Sequence, residues 1–170
     1  MIPPTSIYLH IPFCAHRCAY CDFNTYAGQE GSIPAYVRAM CREIELVGSS
    51  AAREQRDLRI HTIFFGGGTP SLLAPAQLAG ILDALRRAFR IDEGAEISLE
   101  ANPGTVSPES LQRLRKMGVN RLSLGVQSAN SEELRMLERI HDFPEVIEAV
   151  RSARRAGFDN INLDLIYGLP

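Results

Sequence analysis

The chain has 170 residues, a length typical of one domain. Its hydrophobic content of 45% is that of an ordinary globular core, and no apolar run reaches the roughly 18 residues that a membrane span needs. The formal net charge of −2 indicates neither a nucleic-acid partner nor binding to an anionic membrane surface.

Strand and helix patterns alternate five times along the chain, which predicts a parallel α/β sheet. The strands are predicted at Ser6–Ile11, Ile60–Gly66, Glu96–Asn102, Arg121–Ser128 and Ile161–Gly168. No long linker or low-complexity segment interrupts this rhythm, so the pattern is that of a single α/β domain.

The first strand runs into three cysteines, Cys14, Cys18 and Cys21, with the spacing C-x3-C-x2-C. Three thiolates on one short loop can hold three corners of a four-iron cluster and leave the fourth iron open to a small molecule. A zinc site is an alternative, although zinc usually takes two separated ligand pairs and His16 is the only nearby histidine. A disulfide is a second alternative, but it would leave one of the three thiols unpaired.

The segment before these cysteines lacks the features of a secretory signal, since residues 1–5 have neither a basic start nor a long apolar run. Together with an oxygen-sensitive cluster, this favours a reducing, cytoplasmic location. The fourth cysteine, Cys41, falls on the apolar stripe of the first predicted helix with Val37, Met40 and Ile44. That position indicates a packed thiol rather than a ligand.

The first two helices are predicted from apolar stripes. The first follows Ser32, its expected N-cap, and its stripe extends to Val47; the second carries a stripe over Leu78–Phe89. Between them, after the second strand, lies the glycine segment of residues 66–71, Gly-Gly-Gly-Thr-Pro-Ser. It is not a P-loop, because no lysine follows the glycines, and we expect it to let backbone amides approach a ligand closely.

Capping signals mark the later helices. The third opens at Ser107, followed by proline at the first helical position, and closes at Gly118. A short helix is predicted from Ser131. The last begins near Asp142, with Glu145 three residues later as in a capping box, and a glycine ends it.

Four of the predicted strands alternate between apolar and polar residues, as in Leu163 beside Asp164, whereas a parallel strand buried on both faces is usually apolar throughout. We interpret the sheet as curved, with helices on its apolar face and a ligand cavity on its polar face, where unpaired polar groups are costly. Ligands bind at the carboxyl ends of parallel strands. The cysteine loop, the glycine segment, Glu100 and Gln127 all lie at such ends and are expected to converge.

These segments together resemble the radical S-adenosylmethionine (SAM) superfamily, and within it the oxygen-independent coproporphyrinogen III oxidase-like group, most of all its heme chaperone branch. The resemblance is carried by YLHIPFC with CDF (8–14 and 21–23), GGGTPSL (66–72), LEANPG (99–104), NRLSLGVQS (120–128) and NLDLIYGLP (162–170). It implies an α/β fold, a partial parallel (βα) barrel of the radical SAM type with about five βα units in residues 1–170.

The resemblance also implies a C-terminal domain after the barrel, so the chain is expected to be an N-terminal fragment truncated after the fifth strand. Heme ligands and partner surfaces would then lie in the missing part. An open edge at the fifth strand invites aggregation, and we expect residues 1–170 alone to be poorly soluble or loosely folded.

The resemblance implies a site residue by residue. Cys14, Cys18 and Cys21 would bind three irons of a [4Fe–4S] cluster, and SAM would chelate the fourth through its amino and carboxylate groups. SAM contacts are implied for Tyr8, Tyr20 (against the adenine), Gly67, Gly68, Thr69, Glu100, Gln127, Arg139 and Asp164. Packing is the alternative for Tyr20, and a solvated helix position is the alternative for Arg139. The implied chemistry is reductive cleavage of SAM to methionine and a 5′-deoxyadenosyl radical.

The relatives that oxidise coproporphyrinogen carry a further cysteine two residues after the third, where this chain has Phe23. This departure favours a heme chaperone that carries heme as cargo to hemoprotein clients and takes electrons from a donor. An oxidative decarboxylase of coproporphyrinogen III in porphyrin biosynthesis is the second hypothesis, and a metal-stabilised binding module without SAM chemistry is the third. His10, His16, His61 and His141 are expected to be packed or solvated, so no heme ligand is assigned.

Overall fold

Five parallel strands lie side by side in chain order in the computed structural model, which describes residues 5–169. The strands are β1 (Thr5–Ile11), β2 (Phe13–Cys14), β3 (Tyr26–Ala27), β4 (Arg59–Gly67), β5 (Arg90–Ala101), β6 (Arg121–Gln127) and β7 (Asn160–Leu165). The main sheet has the order β1-β4-β5-β6-β7, and β2 pairs with β3 in a separate parallel ladder. Sequential parallel order is that of a partial (βα) barrel, so the predicted fold class is confirmed.

The helices connect these strands. They are α1 (Ile33–Arg53), α2 (Pro75–Ala88), α3 (Pro108–Met117), α4 (Ser131–Met136) and α5 (Phe143–Arg155). Within residues 5–169, none of them combines the length and the apolarity that crossing a membrane requires.

The outer face of the sheet forms the core. One register row crosses it through Leu9, Phe65, Leu99 and Leu122, and all four side chains are buried against the helices. Full burial of one such side chain contributes roughly 1.5–3 kcal/mol. The predicted apolar face of the alternating strands is therefore the helix-covered face.

The inner face of the same strands is mostly polar. One row runs through Tyr8, Phe64, Ser98, Arg121 and Asn160. Nearer the carboxyl ends, His10 pairs with Gly66, and Glu100 pairs with Ser123, which pairs with Asn162. The predicted alternation is confirmed, and it turns each polar side chain away from the helices.

Most of the predicted caps form. Ser107 accepts a hydrogen bond from the Ser110 amide at 3.2 Å, and Asp142 and Glu145 accept from each other's amides at 2.9 Å each. The cap predicted at Ser32 is wrong: this residue has helical dihedrals, φ −84° and ψ −16°, and its side chain makes no cap bond. It completes a 3₁₀ turn before α1, so its hydroxyl cannot reach the first free amides.

Other element boundaries differ from the prediction. The fifth sheet strand ends at Leu165 rather than Gly168, and its supposed buried residues Leu163 and Leu165 are 45% and 68% exposed, because no helix in the described range covers them. Val47 is exposed near the end of α1. Cys41 is half-buried at the margin of the core, as a packed rather than a ligating thiol.

Candidate functional site

One cavity lies at the carboxyl ends of the strands, and its walls contain every site residue expected from the sequence except Tyr8. Those residues are Cys14, Cys18, Tyr20, Cys21, Gly67, Gly68, Thr69, Glu100, Gln127, Arg139 and Asp164. They come from the cysteine loop, β4, β5, β6, β7 and the segment after α4, so the fold joins positions that are more than a hundred residues apart in the chain.

The cysteine loop, the segment between Cys14 and Ala27, is closed at its two ends by backbone hydrogen bonds. Phe13 and Cys14 pair with Tyr26 and Ala27, and the Tyr26 amide donates to the Pro12 carbonyl at 2.7 Å. Inside the loop, the Cys21 amide donates to the Cys18 carbonyl at 3.0 Å. These backbone bonds fix where the loop begins and ends, and they hold two of its cysteines one turn apart.

Each of the three cysteine sulfurs lies within hydrogen-bond distance of a polar side chain. The pairs are Cys14 Sγ with Thr69 Oγ1 at 3.7 Å, Cys18 Sγ with Arg139 Nη1 at 3.2 Å, and Cys21 Sγ with Thr25 Oγ1 at 3.6 Å. Burial raises the pKa of the Cys14 thiol, and the Thr69 and Thr25 hydroxyls oppose that rise.

Among residues 5–169, no three His, Cys, Asp or Glu side chains come together as ligands of a single metal ion. A cubane cluster has a different requirement, because each thiolate binds its own iron and the sulfurs stand apart around the cluster. The three thiols therefore need not meet at one point to hold such a group.

The glycine segment packs directly on the cysteine loop. A Cβ on Gly68 would lie 2.6 Å from the Phe13 carbonyl oxygen and 2.9 Å from Cys14 Sγ, so only glycine fits. Three amides of this segment donate hydrogen bonds within the protein: Gly67 to Glu100, Gly68 to Ile11 and Thr69 to Phe13, at 2.8–3.0 Å. The glycines thereby bring β4 close enough to brace the cysteine loop.

Glu100 is the partly buried carboxylate of the cavity. Its Oε2 accepts a hydrogen bond from the Gly67 amide at 3.0 Å. Burial raises the pKa of Glu100, the Gly67 bond opposes this, and the nearby Asp164 charge adds to the rise. Its remaining lone pairs are available to a hydroxyl or amino group of a ligand.

Asp164 is held by two inner-face neighbours. Ser123 Oγ lies 3.3 and 3.2 Å from the two carboxylate oxygens, and Asn162 Nδ2 donates to Oδ1 at 2.7 Å. Asn162 also donates to Ser123 Oγ at 3.0 Å. The three side chains form one network that fixes the Asp164 carboxylate at the cavity wall.

Arg139 connects the far side of the cavity to the cysteine loop. Besides Cys18, its Nη1 lies 3.4 Å from the Tyr20 hydroxyl, and its Nη2 donates to the Gly125 carbonyl at 2.7 Å. Its Nε is buried and has no hydrogen-bond partner in the described part of the chain. The preceding Glu138 has a left-handed φ of 53° and lies 3.6 Å from His16 of the same loop.

Gln127 reaches the cavity through an irregular strand end. Its φ is 70°, and the β6–β7 register shifts between Gly125 and Gln127. A positive φ is costly for a residue with a Cβ, and such strain concentrates at functional sites. This irregular end of β6 lies where the Gln127 side chain lines the cavity.

Tyr8 lies just outside the cavity wall, beside Gly66, where an added Cβ would come within 3.0 Å of its ring. His10 holds it: Nε2 of His10 donates to the Asn24 carbonyl at 2.9 Å, so Nδ1 accepts from the Tyr8 hydroxyl at 2.9 Å. His10 thereby ties the inner face of β1 to the end of the cysteine loop.

Sequence reasoning missed several of these residues. His10, Ser123 and Asn162 have a detectable signal, since strand alternation points them inward beside Glu100 and Asp164. Thr25 has none, because its contact with a cysteine sulfur arises from loop geometry. The buried His141 donates from Nε2 to the Val126 carbonyl at 3.1 Å, as a packed histidine, and burial lowers its pKa.

Comparison with known proteins gives a consistent result. A profile described as the radical SAM superfamily matches residues 8–170. Heme chaperone HemW of Haemophilus influenzae is 39% identical over 99% of this chain and 44% of its own length, and HemW of Bacillus subtilis is 43% identical over 97% and 43%. Oxygen-independent coproporphyrinogen III oxidase of Bradyrhizobium diazoefficiens is 41% identical over 97% and 36%.

The solved structure of coproporphyrinogen III oxidase (HemN) from Escherichia coli, a radical SAM enzyme, superposes with a TM-score of 0.87 at 36% identity. The match covers 98% of this chain and 38% of that one. The chain thus spans less than half the length of the relatives it matches.

Proposed function

This chain belongs to the radical SAM superfamily, and from that membership we propose that its cavity holds a [4Fe–4S] cluster and SAM in a protein that acts as a heme chaperone. The observation that carries the proposal is the single cavity in which three thiols face Glu100 and Arg139. A chain that only used zinc for stability would have no need of a carboxylate and a guanidinium beside the metal.

The residues present fit a four-iron cluster. Cys14, Cys18 and Cys21 supply soft sulfur donors, and a hydroxyl or guanidinium lies beside each sulfur to stabilise it as a thiolate. Gly68 leaves room against Cys14 that any larger residue would fill. Three ligands leave one iron for an exogenous molecule.

The same cavity offers complementary groups for SAM. The Arg139 guanidinium suits a carboxylate, and the Glu100 and Asp164 carboxylates suit amino and hydroxyl groups. We assign the remaining contacts to Tyr8, Tyr20, Gly67, Gly68, Thr69 and Gln127. When both groups are bound, the reduced cluster supplies the electron that cleaves the sulfonium. The protein orients the two groups and limits access of water and oxygen.

Phe23 favours the chaperone proposal over the oxidase proposal. Chaperone and oxidase relatives are about equally similar to this chain, at 39–43% and 41% identity. At the position of the further cysteine expected in an oxidase, the chain has Phe23, which lies on the cavity wall and is 67% exposed. Its ring cannot ligate iron. We therefore propose that the protein carries heme as cargo to hemoprotein clients. We also propose that a protein electron donor reduces its cluster and that it acts in the cytoplasm.

Electron paramagnetic resonance (EPR) at low temperature tests the cluster and SAM together. The anaerobically reconstituted, reduced protein is expected to show a four-iron signal that changes when SAM is added. A four-iron signal that does not change when SAM is added would favour the metal-stabilised binding module. A protein that contains zinc and no iron would refute the cluster assignment. A C18S variant, which lacks one ligand, is the control for adventitious iron.

The chaperone assignment needs its own measurement. Heme added to the protein is expected to give a saturable change in absorbance, and transfer to an apo-hemoprotein should follow. Coproporphyrinogen III incubated with SAM and a reductant is expected to stay unchanged. Its conversion to protoporphyrinogen IX would instead establish the oxidase.

A further inference from the structure

We propose that Arg139 raises the reduction potential of the cluster by donating a hydrogen bond from Nη1 to the Sγ of Cys18. The inference rests on the proposed cluster site and adds to it a residue that acts on the cluster itself. Arg139 is a positioning and tuning residue in this role, distinct from its proposed contact with SAM.

The three sulfur partners are not equivalent. Thr69 and Thr25 are neutral hydroxyls at 3.7 and 3.6 Å from their sulfurs, whereas the Arg139 guanidinium lies 3.2 Å from Cys18. Hydrogen bonds from a charged donor are roughly twice as strong as neutral ones, and arginine keeps its charge at any ordinary pH. The electrostatic effect is therefore concentrated at one corner of the cluster.

The guanidinium is held in place by protein groups alone. Nη2 donates to the Gly125 carbonyl at 2.7 Å, and Nη1 also meets the Tyr20 hydroxyl at 3.4 Å. Its planar fork thus links the end of β6 to the cysteine loop without any ligand. The contact with Cys18 should exist whether or not SAM is bound.

The buried Nε shows that this cation is only partly compensated. It has no hydrogen-bond partner among residues 5–169, although burying an unpaired polar atom is costly. A nearby negative group relieves that cost. Four-iron clusters gain negative charge on reduction, and hydrogen bonds to their sulfurs are among the features that set the potential. The guanidinium therefore stabilises the reduced form more than the oxidised form.

The test is an EPR-monitored redox titration of the reconstituted protein without SAM, so that any role in SAM binding does not contribute. R139M removes both charge and donors and is expected to make reduction about tenfold less favourable, which corresponds to about 59 mV for one electron. R139K keeps the charge but loses the planar fork and should shift the potential less, in the same direction.

Three further variants serve as controls. T69V and T25V remove the neutral donors and are expected to shift the potential less than R139M. R135M removes an exposed cation from α4, which makes no described hydrogen bond or ion pair with the cysteine loop, and should leave the potential unchanged.

Equal potentials in the wild type, R139M and R139K would overturn the inference. If R139M fails to assemble a cluster, R139K decides: an unchanged potential there would mean that Arg139 only supports the loop, and a lowered one would uphold the tuning role. A wild-type protein without a cluster would refute the proposed function itself, which is a separate result.

Discussion

The same strands that bury Leu9, Phe65 and Leu99 on the outer face of the sheet present Tyr8 and Glu100 on the inner face. Outer-face residues contact helices and tolerate replacement by other apolar residues of similar volume, which fill the same space in the core. Inner-face residues are paired individually, as Glu100 is with the Gly67 amide. The difference indicates that stability and chemistry can be altered separately by choosing the face.

The largest effect on stability is expected from Phe65→Ala on the outer face. Phe65 is fully buried, and removing its ring leaves a cavity between sheet and helices, at a cost of about 3–5 kcal/mol in the free energy of unfolding. Chemical denaturation monitored by circular dichroism measures this loss. A change in the free energy of unfolding below about 1 kcal/mol would show that packing on the outer face contributes less to stability than proposed.

On the inner face, Glu100→Gln is expected to reduce SAM affinity while leaving the fold intact. Loss of a charged hydrogen-bond acceptor costs roughly 1.5–3 kcal/mol, which is tenfold or more in Kd. Titrating SAM against the cluster EPR signal measures the change, and Glu109→Gln, at an exposed position on α3, is a matched control. Equal SAM affinity in Glu100→Gln and the wild type would place SAM elsewhere.

The pH dependence of stability gives a second, independent test of the Glu100 carboxylate. Burial raises the pKa of Glu100 above its unfolded value, so its contribution to stability is present below about pH 4.3 and is lost as the pH rises through the folded pKa. Glu100→Gln should therefore be the more stable protein, relative to wild type, above that pKa, and the advantage should vanish in acid. Thermal melts of both proteins from pH 4 to pH 8 measure this difference in stability. A difference in melting temperature that stays constant with pH would contradict the prediction.

The smallest effect is expected from Leu165→Lys on β7. Leu165 belongs to the apolar pattern but is 68% exposed, so the change should alter unfolding by less than about 0.5 kcal/mol. A charge on an exposed edge strand also opposes edge-to-edge pairing, and static light scattering should show less aggregation. A loss as large as that of Phe65→Ala would mean that this leucine is buried in solution.

Much of this architecture follows from the sequence because its signals are local. The alternation of apolar and polar residues predicted both faces of the sheet. The cap Ser107 with its following proline, and the capping pair Asp142–Glu145, predicted two helix starts. The expected cap at Ser32 failed because a preceding 3₁₀ turn had already set the backbone.

The remaining features depend on contacts between distant segments, which no local pattern encodes. The amides of Gly67, Gly68 and Thr69 bond to β5, β1 and β2, and Arg139 meets the sulfur of Cys18 from 121 residues along the chain. The exposure of Leu165 likewise depends on what packs on β7, which its own sequence cannot specify.

The short ladder between β2 and β3 affects how a metal cofactor is acquired. Because Cys14 pairs with Ala27, the residues between them form a loop that backbone bonds of the protein itself close. Closing a loop of this kind costs conformational entropy, and here the loss occurs when the protein folds rather than when the cluster binds. Iron and sulfide would thus meet a prearranged chelator, and an apo-protein with a broken ladder should assemble its cluster more slowly even with every cysteine intact.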